Sequence, residues 1–327
     1  MTSNPGTLQP TRLRTHPHTT RSRVMLEVAS ELVSRKDWPF LQVRVSLHEQ
    51  GSDDWPVNLF ASDSPATVDE VASGKVQIAI INPSMVLKMA ALGSGRFKEP
   101  LPLAAIAVLP SSDRIVFAVR REMKLTTVGE MGERRLPLRI SLRQQADHSL
   151  HVVIHEVLAA AGFSLDDIIS WGGEIRYDAG MPYGPNRLGA LQRGEIDAIF
   201  DEGANAWGTM ALELGMTFLE LDEILLQRLE QIGLRRNVLD KARFPKLSRD
   251  VPTLDFSGWL IYARRDAPDP LITAFCSALE ACKDRIPWAE EAPLPLDQMV
   301  RDSADGHLEV PFHPAAERFW RERGYLP

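Results

Sequence analysis

The sequence predicts an α/β fold built from two similar units. Segments with the apolar patterns of strands alternate with amphipathic helices, which is the order of parallel sheets covered by helices on both faces. A length of 327 residues is too great for one compact core and favours two domains. Hydrophobic residues make up 44% of the chain and charged residues 25%, the composition of an ordinary globular protein.

The first unit begins with a predicted helix from Ser22 to Arg35, where apolar residues recur at helical spacing. Residues 41–47 alternate apolar and polar side chains, which predicts a strand. A short helix over 67–74 ends at a glycine, and Asn-Pro stops the buried strand over 76–84, so that these elements form one βαβ step. Strands over 103–109 and 114–119 follow.

The second unit repeats this order. It has a strand over 138–142, a loop over 143–148, a helix over 149–161 closed by Gly162, and a strand over 196–200. We assign the last predicted elements, a strand over 256–264 and a helix over 267–285, to a return into the first unit.

The charge and hydropathy of the chain exclude two classes of partner. The formal net charge of -7 argues against nucleic acid, whose phosphates require a clustered basic surface. No window reaches the 18 or so consecutive apolar residues of a membrane span. We therefore expect no nucleic-acid partner and no membrane span in this chain.

The start of the chain lacks a Sec-type export signal, because Leu8 and Leu13 stand alone among polar residues in the first 26 positions. Cys276 and Cys282 lie six positions apart in one predicted helix and face different directions, so they do not form a disulfide with each other. The sequence as it stands therefore indicates a cytoplasmic protein, and a periplasmic one if a signal was removed.

Three segments resemble one family. The chain ends at residues 313–327 with His-Pro, a small pair, an aromatic pair flanked by charges, and a glycine. Residues 119–131 precede a strand, and residues 188–200 contain a helix followed by Gly, an acid and Ile-Asp-Ala. In this order the segments resemble the TAXI branch of TRAP-transporter solute receptors, and the resemblance extends loosely from about Val24 onward.

The resemblance implies a type 2 periplasmic binding fold, a two-lobe clamshell that closes over its ligand. The expected lobes are residues 1–112 with 258–327, and residues 113–257. The implied function is a receptor for a small organic carboxylate, with membrane transporter subunits as partners and no cofactor. Residues 11–20 depart from the family, which usually has a strand and a Gly-rich loop there.

In such a cleft a small anion is held by backbone N–H groups at helix N-termini, by hydroxyls and amides, and by the fork of an arginine. Ligands of open α/β sheets bind outside the carboxyl ends of strands. This rule selects polar residues after predicted strands or before predicted helices. They are His16, His18, Thr19 and Thr20, Asn82 and Ser84, and Arg143, Gln144, His148 and Ser149.

A second group follows the predicted strand that ends at Phe200. Asp201, Glu202 and Asn205 supply polar groups there, and the indole of Trp207 is suited to cover a ring or an acyl chain. Tyr183, between Pro182 and Gly184, is a further aromatic candidate.

A cytosolic enzyme on the same fold, such as a decarboxylase or dehydratase of an aromatic or polycarboxylic acid, is the alternative. Its acid–base candidates are His16, His148, Asp201 and Glu202, with Asp113 and Asp147 as further acids. A third class is an intracellular ligand-sensing or partner-binding module. No nucleotide-binding, triad or paired-cysteine motif appears.

The strongest metal signal is a set of three histidines, His148, His151 and His155, on one face of a predicted helix. No acid stands at a recognised ligand spacing from them, so we expect no metal. In the closing segment, Phe319 and Trp320 are predicted to pack against the first lobe.

Overall fold

The computed structural model describes residues 17–34, 42–48, 57–286, 288 and 292–327. The chain divides into two compact parts, Met1–Val43 and Arg44–Pro327. The helix of the first part, α1, spans Pro17–Val33 and begins earlier than the predicted start at Ser22. A proline suits the first turn of a helix, where its missing N–H has no intrahelical acceptor.

The other elements alternate along the chain much as predicted. The strands are β1 (Val43–Leu47), β2 (Val57–Ala61), β3 (Ile78–Ile81), β4 (Leu103–Leu109), β5 (Val116–Arg120), β6 (Arg139–Arg143), β7 (Glu174–Asp178), β8 (Ala198–Asp201), β9 (Met216–Phe218), β10 (Arg236–Leu239), β11 (Val251–Leu254) and β12 (Trp259–Arg264). The remaining helices are α2 (Ala66–Ala72), α3 (Met85–Leu92), α4 (Gly129–Glu133), α5 (Ser149–Ala160), α6 (Leu165–Ser170), α7 (Pro185–Gln192), α8 (Ala204–Glu213), α9 (Glu223–Gln231), α10 (Asp269–Cys282), α11 (Leu296–Met299) and α12 (Pro314–Glu322).

The strands form two five-stranded sheets and a small hairpin. The first sheet has the order β1-β2-β3-β12-β4, the second has the order β7-β6-β8-β5-β9, and β10 pairs with β11. β12 runs antiparallel to both of its neighbours, and so does β5. The expectation of purely parallel sheets is therefore wrong, because β12 in the first sheet and β5 in the second run antiparallel to their neighbours.

The reversed strands follow the two places where the chain passes between the sheets. β5 comes directly after the passage from the first sheet, and β12 after the passage back. The two passages are hydrogen-bonded to each other, since the N–H of Ile115 donates to the carbonyl of Leu254 at 3.2 Å and that of Phe256 to the carbonyl of Asp113 at 2.9 Å. The α/β class and the two-lobe architecture predicted from the sequence are confirmed.

Three apolar clusters form the core of the second part, Arg44–Pro327. The largest extends through both sheets, from β3 and α3 to β6, β8 and α5. A second packs the outer face of the first sheet against α10, α11 and α12, and a third packs the outer face of the second sheet against α7 and α8. Each sheet is thus covered on both faces.

Most of helix α3 is buried, since Met85, Val86 and Leu87 are fully inaccessible, whereas Lys88 is exposed. On the side away from its own sheet it meets the turn after α9. A Cβ placed on Gly233 would lie 3.2 Å from the backbone nitrogen of Met89, so the turn approaches α3 as closely as glycine permits. The segments around the two sheets are therefore in direct contact.

The closing segment packs as predicted. Phe319 and Trp320 of α12 are buried against the first sheet, and the indole N–H of Trp320 donates to the carbonyl of Ile106 in β4 at 2.8 Å. Among the described residues, no helix is both long enough and apolar enough to cross a membrane.

Replacement of Trp320 by alanine should lower the free energy of unfolding by about 3–5 kcal/mol, because it leaves a cavity and removes the hydrogen-bond donor of Ile106. Urea unfolding followed by circular dichroism measures the change. Ile224→Ala, at a side chain that is 65% exposed, is the control and should change stability by less than about 0.5 kcal/mol. Equal losses in both variants would contradict the packing assigned to α12.

Candidate functional site

A cavity of about 350 Å³ lies between the two sheets. Its lining residues come from the ends of strands in both. They are Asp63, Asn82, Ser111, Ser112, Asp113, Arg143, His148, Glu202, Gly203, Asn205, Ala206 and Trp259.

The strand directions explain why these residues meet. Asp63, Asn82 and Ser111 follow the carboxyl ends of β2, β3 and β4, which run in the same direction. Trp259 is the first residue of β12, and the reversed course of that strand brings its amino end to the same edge of the sheet. In the second sheet, Arg143 ends β6 and Glu202 follows β8, which is parallel to β6.

Arg143 is the cation among the residues that line the cavity. Its Nη2 donates to Asp201 at 2.7 Å and also to the carboxylate of Glu202, while its Nη1 lies 3.0 Å from Nε2 of His148. Its Nε is buried and has no hydrogen-bond partner. The resident acids therefore hold this guanidinium without satisfying all of its donors.

Behind the cavity, Asp201 is fully buried between two arginines. Its second oxygen accepts a hydrogen bond from Nη1 of Arg187, which is also fully buried and further donates to Ser141. Sequence reasoning did not select Arg187. A signal was present, because Arg187 shares one face of α7 with Ala190 and Leu191, at the spacing of a buried stripe.

His148 is the N-cap of α5, where its Nδ1 accepts the N–H of Leu150 at 3.1 Å. Burial, together with the charge of Arg143, lowers the pKa of His148 to about 3. The ring is therefore neutral at physiological pH. Its Nε2 also faces the carboxylate of Asp63 at 3.8 Å.

Asp113 lies on the first passage between the sheets and carries an unusual proton. Burial first, then a hydrogen bond and the charge of Glu202, raise the pKa of Asp113 to about 9. Its carboxyl oxygens accept the backbone N–H of Gly203 at 3.0 and 2.9 Å and that of Arg114 at 2.6 Å. At neutral pH the carboxyl of Asp113 therefore holds its proton.

Asp63 connects the edges of the two sheets. Its carbonyl accepts both the N–H and the hydroxyl of Ser149, at 2.8 and 2.7 Å. Burial, followed by the charge of Glu202, raises the pKa of the Asp63 carboxyl. The cavity therefore contains more carboxyl groups than cations.

The structure brings several of the residues selected from the sequence together at the cavity and leaves others outside it. Asn82, Arg143, His148, Glu202 and Asn205 line the cavity. Asp201 and Ser149 lie directly behind it. Four other candidates from Arg44–Pro327 do not line the cavity: Ser84, Gln144, Tyr183 and Trp207.

The four residues away from the lining have other surroundings. Ser84 is buried and donates to the carbonyl of Ser257 at 3.2 Å, and Gln144 is exposed. Tyr183 is 50% exposed. Trp207 is buried, and its indole N–H donates to the carbonyl of Glu202 at 2.8 Å, so that it supports the backbone of this residue instead of facing a ligand.

The candidates near the start of the chain have a different position from the predicted one. His18, Thr19 and Thr20 lie within α1, not in a loop before it, since the helix already begins at Pro17. His16 lies outside the described residues.

The three histidines of α5 do not converge. Nε2 of His151 lies 3.0 Å from the carbonyl of Gln145, and His155 is exposed. Among the described residues, no group of three or more His, Cys, Asp or Glu side chains has the arrangement of a metal site.

No protein-family model matches the chain, and no curated protein matches it. Among solved structures, the chain is similar to the alkanesulfonate-binding protein SsuA from Xanthomonas axonopodis pv. citri bound to MOPS, with 16% identity, 67% of this chain and 60% of that chain covered, and a TM-score of 0.33. The periplasmic aliphatic sulphonate binding protein SsuA from Escherichia coli has 16% identity, coverage of 67% and 58%, and a TM-score of 0.34.

MatC from Rhodopseudomonas palustris with bound malate has 12% identity, covers 80% of this chain and 83% of its own, and has a TM-score of 0.36. The chain spans less than two thirds of the length of the two sulfonate-binding proteins. The fold described above rests on the strand orders of this chain alone, because all three TM-scores are below 0.5.

The raised pKa of Asp113 should make stability depend on pH. The folded state holds a proton that an unfolded aspartate, with its ordinary pKa of 3.8, has released. The free energy of unfolding should therefore fall as pH rises from about 7.5 to 9, by at most about 1.4 kcal/mol per pH unit. In this window His148 is neutral in both states and adds no slope.

Asp113→Asn should flatten this dependence, because the amide has the shape of the protonated acid and an N–H to donate to Glu202. Urea titrations at pH 7.5, 8.25 and 9 measure the slope, and Asp166→Asn on the exposed side of α6 is the control. If the wild-type protein and Asp113→Asn show parallel slopes, the proton is not on Asp113.

Proposed function

We propose that this protein binds a small organic carboxylate in the cavity between its two sheets and acts as a solute receptor of the TAXI type. The observation that carries the proposal is the position of Arg143, whose guanidinium is the cation among the described residues that line this cavity. A guanidinium fork is the side chain best matched to a carboxylate.

The rest of the lining supports a small polar ligand. The hydroxyl of Ser111 accepts the N–H of Gly258 at 3.1 Å and that of Ser112 accepts from Arg114 at 2.8 Å, so each has its own proton to donate. Trp259 is 43% exposed and supplies an apolar wall. A volume of about 350 Å³ is at the small end of ligand pockets and suits a compact acid.

The finer parts of the proposal rest on the sequence resemblance. We assign residues 1–112 and 258–327 to the first lobe and residues 113–257 to the second, with closure bringing Asp63 and Ser149 together over the ligand. Membrane transporter subunits of the TRAP class are the proposed partners. The experiments below test the carboxylate specificity.

One observation favours the alternative, an enzyme in the same cavity. A protonated Asp113 next to Arg143 is suited to protonate a carbanion after loss of carbon dioxide, or a leaving hydroxyl. In that function Arg143 would hold the acid substrate, and Asp113 would be the general acid.

A pooled panel of aliphatic and aromatic carboxylates, followed by mass spectrometry of the intact complex and of the small molecules, separates the two functions. For a receptor we expect a stoichiometric mass shift and the ligand returned unchanged. Disappearance of one acid with a loss that matches carbon dioxide or water would establish the enzyme instead, and no bound or altered acid would refute both.

Replacement of Arg143 by lysine should weaken the binding of any acid found in this way by at least about tenfold, because lysine keeps the charge and loses the fork. Isothermal titration calorimetry measures the dissociation constant. Arg193→Lys is the matched control, since Arg193 is exposed and pairs with Glu195 away from the cavity. An unchanged affinity in Arg143→Lys would place the carboxylate elsewhere.

A further inference from the structure

The carboxylate of Glu202 occupies the position on Arg143 where the proposed ligand would bind. It contacts Nη2 of Arg143 from the cavity side, and both side chains are 13% exposed. In this structure an acid of the chain itself therefore pairs with the cation that lines the cavity.

The two acids on Arg143 differ in how firmly they are held. Asp201 is fully buried, is bonded by Arg187, and accepts the backbone N–H of Glu202 at 2.9 Å. Glu202 pairs with Arg143, interacts with the carboxyl of Asp113, and lines the cavity. Glu202 is thus the partner of Arg143 that a ligand can replace, and Asp201 is the fixed one.

The charges around Glu202 make such a replacement costly unless a proton enters with the ligand. A ligand carboxylate on Arg143 leaves Glu202 without its cation and beside another anion. The titratable and charged groups near Glu202 come from several strand ends around the cavity and from the start of α5. They are Asp63 after β2, with Asp147 near it, Asp113 before β5, Arg143 and Asp201 at the ends of β6 and β8, and His148 at the start of α5, with His151 behind it.

Among these groups the carboxyls of Asp113 and Glu202 line the same cavity, and a ligand anion bound beside them favours the protonated form of an acid there. The histidine ring is capped at Nδ1 by the N–H of Leu150 and adjoins Arg143, which disfavours a second proton there. The added proton therefore belongs on the carboxyl pair.

We propose that Glu202 is an internal substitute for the ligand carboxylate, which displaces it from Arg143 while the pair of Asp113 and Glu202 takes up one proton. The inference rests on the proposed function and adds a mode of regulation to it, since binding then depends on pH. Affinity increases as pH falls, by at most about tenfold per pH unit for one proton.

The test is a titration of the wild-type protein and Glu202→Gln with two probes, succinate and benzoate. Calorimetry at pH 7.5 in two buffers with different heats of ionisation measures the number of protons taken up. The wild-type protein should take up about one proton per ligand, and Glu202→Gln none. Because the neutral amide competes less well for Arg143, Glu202→Gln should also bind the probe about tenfold more tightly.

A direct contact between Glu202 and the ligand would give the opposite sign, because its removal would weaken binding. Weaker binding by Glu202→Gln, or a wild-type titration without proton uptake, would overturn the inference and leave the receptor function intact. If neither probe binds the wild-type protein or Glu202→Gln, the proposed function fails, and this inference fails with it.

Two further variants separate charge from folding. Glu202→Asp keeps the acid and should retain proton uptake, which distinguishes loss of the carboxylate from damage to the loop. Glu174→Gln removes an exposed acid of β7, outside the cavity, and should leave both affinity and proton uptake unchanged. An equal gain of affinity in Glu174→Gln would mean that overall charge, not the position of Glu202, governs binding.

Discussion

The burial of one carboxylate, that of Asp201, determines how the cavity is charged. A buried carboxylate is too costly in free energy unless it is paired, and Asp201 is fully inaccessible. Arg187 binds it from α7 and Arg143 binds it from the cavity side. Arg143, the cation that lines the cavity, is therefore positioned by an acid that does not line it.

The topology adds a second constraint, because the two passages between the sheets meet at the same place as the strand ends. The backbone of Asp113 bonds the other passage through Phe256 and Ser257, while its side chain bonds Gly203 and Glu202 of the second sheet. Asp113 thus connects the passages between the sheets with the cavity.

The sequence reveals elements whose signal is local and misses features that depend on distant partners. The strand over 103–109 is a run of buried apolar residues, and Arg143 and His148 follow from the rule of strand ends. Trp259 was missed because it begins a strand, and only the reversed direction of β12 brings it to the cavity. Asp63 was missed because β2, five residues long and containing Asn58, has no clear alternation.

The contact between α3 and the turn after α9 bears on how a ligand enters. The hydroxyl of Ser94 donates to the carbonyl of Ile232 at 2.6 Å, and Gly233 adjoins the side chains of Lys88 and Leu92. Separation of the two sheets would expose the buried residues of α3 and would break the bonds between Ser149 and the carbonyl of Asp63. The arrangement of the two sheets in this structure is therefore stabilised by contacts that involve no ligand.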